Sequence, residues 1–185
     1  VDMCHGIALT HTKVTLRSTF FTSYPIFVSK IIARNNRLDS AAGEALAHML
    51  DVNKTVNYLD LSYNNLDDEA GMAIAEALKY NEHVTYLDMN HNLMRAEAGI
   101  AFAATIKRNK ILKTLYLAHN HMGPVLYWQN QYTRNFQEGA GRELGMALRL
   151  NKHITELDVS HNQFGPDGGS GFWEGLRKNK ELIAL

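Results

Sequence analysis

The chain has 185 residues, 45% of them apolar, and its 19 basic side chains balance its 19 acidic ones. At 20.9 kDa this is enough apolar material for one buried core and excludes a disordered chain, while a net charge of zero removes any global pull toward nucleic acid or anionic lipid. The single cysteine, Cys4, leaves no intramolecular disulfide or thiolate zinc cluster and points to a reducing intracellular compartment, and no uncharged apolar run reaches the roughly 18 residues of a membrane span.

Residues 1–27 do not follow the pattern of the rest. Val14, Leu16 and Phe21 suit a degenerate strand, Pro25 stands where a helix-ending asparagine is expected, and the segment reads as an N-terminal cap without a signal-peptide layout. From Val28 onward a repeat sets in: Asn36, Asn64, Asn92 and Asn120 are 28 residues apart, and Asn162 follows after 42, which is 28 with 14 inserted. Five and three positions before each asparagine stand Ile31 and Ala33, Leu59 and Leu61, Leu87 and Met89, Leu115 and Leu117, Leu157 and Val159, the period of two that marks a strand. Eight positions before it the column reads Val28, Val56, Val84, Leu112 and Ile154.

After each asparagine the period becomes helical. Gly43, Leu46, Ala47 and Leu50 stand at i, i+3, i+4 and i+7, and the same spacing recurs from Gly71, Gly99, Gly141 and Gly169, so each helix has one apolar face. The leading glycine is expected to let helix approach strand, which outweighs a helix cost of about 1 kcal/mol. Asn53, Asn81, Asn109, Asn151 and Asn179 follow the helices and are expected to end them in left-handed turns.

The 14 additional residues fall at about 124–137. Trp128, Tyr132 and Phe136 are spaced i, i+4 and i+8, so a helical extension would carry three rings on one stripe, and Tyr127 adds apolar area. Two readings stay open: the segment docks on another protein, or it folds back over its own turns. Farther on, Trp173 occupies a column otherwise held by Ala47, Ala75, Ala103 and Gly145, where it is expected to shield the terminal core. Leu182 and Leu185 repeat the columns of Ile154 and Leu157, so another strand begins there, and more repeats or another chain are expected to cover that end.

A strand and a three-turn helix cannot bury their apolar faces alone, which makes stacking obligatory. The segments LDLSYNNL, LDMNHNLM, LYLAHNHM and LDVSHNQF resemble the leucine-rich repeat pattern L-x-x-L-x-L-x-x-N-x-L, and the 28-residue period with a full helix resembles the ribonuclease-inhibitor-like subclass. The resemblance implies an α/β solenoid over residues 28–185, a horseshoe with parallel strands on the concave side and helices on the convex side. It also implies that the amides of Asn36, Asn64, Asn92, Asn120 and Asn162 form a ladder along the turns. Intracellular members of this subclass bind proteins, among them cytoskeletal and axonemal (ciliary) subunits; one branch activates a GTPase, although no functional arginine or asparagine of that branch finds a counterpart here.

In such a horseshoe the concave columns hold Asp60, Asp88, Tyr116 and Asp158, four before the asparagine, beside Tyr58, Tyr86, Thr114 and Glu156. An acidic stripe with tyrosines suits a protein partner with a basic surface; the plainer alternative makes each aspartate a solvated feature of the repeat. Directly before the asparagine stand Asn35, Tyr63, His91, His119 and His161. Parallel side chains at strand spacing diverge, whereas a tetrahedral ion needs ligands converging at about 2.0–2.2 Å, so no metal is expected. Basic residues gather at helix C-termini and acidic ones at helix starts, which complements the helix dipoles. No nucleophile elbow, phosphate-binding glycine loop or metalloprotease helix is present. The expectation is a non-enzymatic scaffold without cofactors that binds proteins, not nucleic acid or membrane, with a GTPase activator as the alternative.

Overall fold

In the computed structural model, the described residues are 6–8 (backbone), 28–124 and 139–185. Three-residue strands alternate with helices: β1 (Gly6–Ala8), β2 (Lys30–Ile32), α1 (Ser40–Val52), β3 (Tyr58–Asp60), α2 (Asp68–Tyr80), β4 (Tyr86–Asp88), α3 (Ala96–Arg108), β5 (Thr114–Tyr116), α4 (Ala140–Leu150), β6 (Glu156–Asp158) and α5 (Gly165–Leu176). The strands form one parallel sheet in sequence order, and each helix packs on its neighbours in sequence. The sheet therefore begins inside the segment expected to be a cap, with Ile7 paired to Ile31; Val14, Leu16 and Phe21 lie outside the described residues.

Register follows the asparagine spacing. Leu59 pairs with Leu87, Leu87 with Leu115, and Leu115 with Leu157 across the insertion. A one-residue slip would turn the buried leucines outward, so the period of two fixes the pairing. These leucines are fully or almost fully buried against Leu46, Leu50, Ile74, Leu78, Phe102, Ile106, Leu144 and Leu148 of the helices.

The glycines at the head of the first three helix faces have a different reason from the one expected. A Cβ on Gly43 would collide with Ala70, on Gly71 with Ala98 and Met94, and on Gly99 with Ala140. All three alanines belong to the next helix, Ala140 being the first residue of α4, so the close approach is helix to helix.

The helix-ending asparagines also differ from expectation. Asn53, Asn81, Asn109 and Asn151 have φ between −67° and −79° with ψ between 130° and 137°, an extended backbone. Each instead ties the next strand to the helix before it. Asn81 Oδ1 accepts from His83 N and Val84 N at 2.9 and 2.8 Å, while its Nδ2 donates to Leu50 O of the preceding unit at 2.9 Å. The residue before each ladder asparagine is left-handed instead: Asn35, Tyr63, His91, His119 and His161 have φ of 53–58°.

Helix starts show one substitution across units. Asp39 and Asp67 cap α1 and α2 by accepting from Ala42 N and Ala70 N. Hydrogen bonding from Ser40 holds the Asp67 carboxyl below its ordinary range. The same position before α3 is Arg95, which offers no cap, and Asp68 of the preceding unit takes over: its Oδ1 accepts from Arg95 N at 2.7 Å and Ala98 N at 3.2 Å.

Candidate protein-binding face

The expected asparagine ladder is present. Asn64 Nδ2 donates to Ala33 O in the preceding turn and Leu61 O in its own, and its Oδ1 accepts from Asn36 N and Leu38 N. Asn92 repeats the arrangement with Leu61 O, Met89 O and Leu66 N, and Asn120 with Met89 O, Leu117 O and Met94 N. Asn162 donates to Leu117 O and Val159 O, but its buried Oδ1 has no donor. That break lies beside the insertion, where Met122 N does not make the bond that Leu66 N and Met94 N make in earlier units.

The sheet face turned away from the helices carries two columns. In the first, Lys30, Tyr58, Tyr86, Thr114 and Glu156 are successive register partners. Lys30 Nζ stands 4.0 Å from the centroid of the Tyr58 ring, and the Tyr58 and Tyr86 rings stack at 4.0 Å. Tyr116 belongs to the second column but crosses to the first: its ring meets Tyr86 edge-on at 5.6 Å, and its hydroxyl donates to Glu156. Burial, and then hydrogen bonding to Tyr58, raises the Tyr86 hydroxyl pKa; burial and the Glu156 bond push that of Tyr116 up to about 12. The result is a row of rings running from a cation at Lys30 to a carboxylate at Glu156.

The second column is Ile32, Asp60, Asp88, Tyr116 and Asp158. The solvated aspartates of the plainer reading are not found at Asp60 and Asp88, which are each only 8% exposed. Each column aspartate closes its own turn. Asp60 Oδ1 accepts from Ser62 N and Oγ, Asp88 Oδ1 from Asn90 N at 2.9 Å, and Asp158 Oδ1 from Ser160 N at 2.9 Å. None of the three has a salt-bridge partner among the described residues. Burial, reinforced by the charges of Asp60 and Asp158 and opposed by the Asn90 N–H and by Arg34, pushes the Asp88 carboxyl up to about 6.

Along the rim next to these columns the residues before the ladder form a continuous stack, parallel and in contact. The Arg34 guanidinium lies 4.3 Å from the Tyr63 ring centroid, Tyr63 stacks on His91 at 4.1 Å, and His91–His119 and His119–His161 each stack at 4.0 Å. The same left-handed backbone repeated at strand spacing leaves the rings face to face. No group of three or more histidine, cysteine or acidic residues is placed to hold a metal among the described residues. Loss of solvent at His91, with the neighbouring His119, Arg34 and His161, lowers its pKa.

Of the other expected features, Tyr127, Trp128, Tyr132 and Phe136 lie outside the described residues. The flanks of their segment meet: Gly139 is packed against Gly123 and Pro124, and Ala140 N donates to Met122 O at 2.9 Å. Trp173 does not shield the core; it is 61% exposed, with one edge contact to Phe172. No helix among the described residues is long and apolar enough to cross a membrane.

A family model described as Leucine Rich repeat matches residues 52–75, 80–103 and 150–172. The unit interrupted by the insertion is not among the matched segments. No curated protein matches the sequence. Among solved structures, the chain is similar to Leiomodin-1 Actin-Binding Site 2 (ABS2), with 21% identity, a TM-score of 0.61 and coverage of 82% of this chain and 80% of that one. At that identity the likeness is one of fold. The matched units, the sequential parallel sheet and the asparagine ladder make the described chain an α/β solenoid of leucine-rich repeats.

Proposed function

We propose that the chain is a non-catalytic scaffold that binds protein partners on the open face of its sheet and serves a cytoskeletal assembly. The observation that carries this reading is the ring row from Lys30 through Tyr58, Tyr86 and Tyr116 to Glu156, lying beside aspartates that form no salt bridge among the described residues. Tyrosine supplies broad contact area at little entropic cost, and unneutralised carboxylates favour a partner with a basic surface. The cytoskeletal part rests on the likeness to the actin-binding site 2 of leiomodin-1. The 28-residue units with 13-residue helices support the ribonuclease-inhibitor-like subclass. In this proposal Tyr127, Trp128, Tyr132 and Phe136 of the inserted segment supply a second set of docking residues.

The test is binding of purified partners, beginning with monomeric and filamentous actin, to wild type and to two alanine variants. Tyr86→Ala on the open face is expected to weaken binding at least tenfold, while Met72→Ala on the exposed helix side leaves it unchanged. Equal binding by both variants rejects the open face; failure of wild type to bind either form of actin rejects the actin reading. Unchanged single-turnover hydrolysis by a panel of small GTPases in the presence of the chain is the expected outcome of the non-catalytic part, and acceleration overturns it.

A further inference from the structure

We propose that the edge of the solenoid at which each helix passes into the next strand is a further docking surface, and that it takes an acidic polypeptide segment bearing apolar side chains. This edge is separate from the open sheet face, and its occupant does not depend on what that face binds.

The backbone sets the helix-to-strand segments side by side. Lys113 N donates to Thr85 O at 2.8 Å, Thr155 N to Lys113 O at 2.9 Å and Ile183 N to Thr155 O at 2.8 Å. The asparagines after the helices add a second set of ties: Asn109 Nδ2 donates to Asn81 O at 3.0 Å, and Asn179 Nδ2 to Asn151 O at 3.2 Å. Side chains at one position of successive segments therefore stand in columns on a fixed backbone.

Charge is uneven along this edge. Segment 51–57 sets Lys54 against Asp51, and segment 79–85 sets Lys79 against Glu82. Segment 107–113 has Lys107, Arg108, Lys110 and Lys113 and no acid. Segment 149–155 adds Arg149 and Lys152, again without an acid. Segment 177–183 adds Arg177, Lys178 and Lys180 against Glu181. The helix dipole does not demand this excess, since α1 has no basic residue in its last turn and ends on the same extended asparagine as α3. Lys107 pairs with Glu143, and the Arg108 guanidinium lies 4.6 Å from the Tyr80 ring centroid. The other bases of the last three segments are exposed and form no salt bridge among the described residues. Like charges gathered in this way repel one another, and an acidic partner relieves that repulsion.

The apolar side chains of the same edge favour a polypeptide over a nucleic acid. Leu150 is 67% exposed and occupies the column between Arg108 and Lys178, one position before the asparagine. A sugar-phosphate chain has no use for an exposed leucine, whereas an apolar side chain among carboxylates buries it. Tyr80, the exposed ring of this edge, is already engaged by Arg108 and does not offer a clear platform for a base.

The test is fluorescence anisotropy on the full chain with three labelled probes: a peptide of three Glu-Leu-Glu-Glu copies, nona-glutamate of the same charge, and an oligothymidylate. The leucine-bearing peptide is expected to bind tighter than nona-glutamate, and both to weaken as salt rises. The triple variant Lys110→Gln, Lys152→Gln and Lys180→Gln is expected to weaken both peptides about tenfold, while Lys54→Gln, at the same position of a neutral segment, and Tyr86→Ala on the open face leave them unchanged. Leu150→Ser is expected to weaken only the leucine-bearing peptide, by about threefold. Circular dichroism checks the folds, and Lys152→Gln alone, with an expected loss of about twofold, replaces the triple variant if that does not fold. Absence of peptide binding at low salt, or binding that survives the lysine substitutions, overturns the surface. Tighter binding of oligothymidylate than of either peptide overturns the polypeptide in favour of nucleic acid, and equal binding of the two peptides overturns the apolar part of the partner.

Discussion

Two buried polar columns run through the same turns, four residues apart, and only one of them holds the units together. Asn92 spends its amide on both sides of a repeat boundary, donating to Leu61 O and Met89 O and accepting from Leu66 N. Asp88, buried nearly as deeply, serves only Asn90 in its own turn and carries a charge that no described residue pairs. Burial of a polar side chain thus has two meanings here. The asparagine is buried because the backbone needs it, whereas the carboxylate is buried at a cost that the Asn90 N–H and Arg34 recover only in part.

The sharpest way to break the comparison is Asn92→Ala. It leaves buried backbone groups of two units without their partner, at about 1–3 kcal/mol per unsatisfied group, so a loss of about 3 kcal/mol or more is expected in urea unfolding. A loss below about 1 kcal/mol would put Asn92 in the same class as Asp88.

Asp88→Asn should act in the opposite sense. The carboxyl is pushed up to about 6 from the ordinary 3.8, so between those values the folded chain holds more protons than the unfolded one. The stability contribution is complete below the unfolded value and is lost as pH rises through about 6. Asparagine never ionises and keeps it. The variant is therefore expected to be more stable than wild type by about 1–3 kcal/mol at pH 7.5, with the gain vanishing near pH 4. His91 runs the other way: its lowered pKa gives a contribution that is present at neutral pH and lost on acidification. Denaturation midpoints of both proteins at the two pH values decide the matter, and a destabilised variant at pH 7.5 would mean that the fold uses the charge.

Period and ladder were legible in the sequence because each is one residue type at one spacing, and stacking leaves such columns a single arrangement. What was not legible depends on rotamers or on partners a whole unit away. His91, His119 and His161 read as polar turn residues, and only their shared left-handed backbone shows that the rings stack. Asn53 and Asn81 were expected to adopt that backbone and are extended, because their side chains tie down the following strand. The missing cap at Arg95 is answered by Asp68, 27 residues earlier, where helix-start signals in sequence give no hint of it. Asp68→Ala is expected to cost about 1 kcal/mol, and adding Arg95→Asp in the same chain should restore most of that. A silent Asp68→Ala would show that the cross-unit cap contributes nothing.

The smallest effect is expected where the sequence departs most from the repeat. Deleting residues 125–138 joins Pro124 to Gly139, which already pack together, and restores the 28-residue spacing from Asn120 to the residue now numbered Asn162. Thr114 pairs with Glu156 and Leu115 with Leu157 as in uninterrupted units, so the stack does not rely on the segment for register. The deletion also gives Met122 N the chance to reach Asn162 Oδ1, the bond its counterparts Leu66 N and Met94 N make. Stability is expected to change by less than about 1 kcal/mol in either direction, while partner capture through Trp128 and Tyr132 is lost, as it should be in the double alanine variant of those two residues. A large fall in the unfolding midpoint would instead assign the aromatic segment to the packing of its own repeats, and the docking reading would go with it.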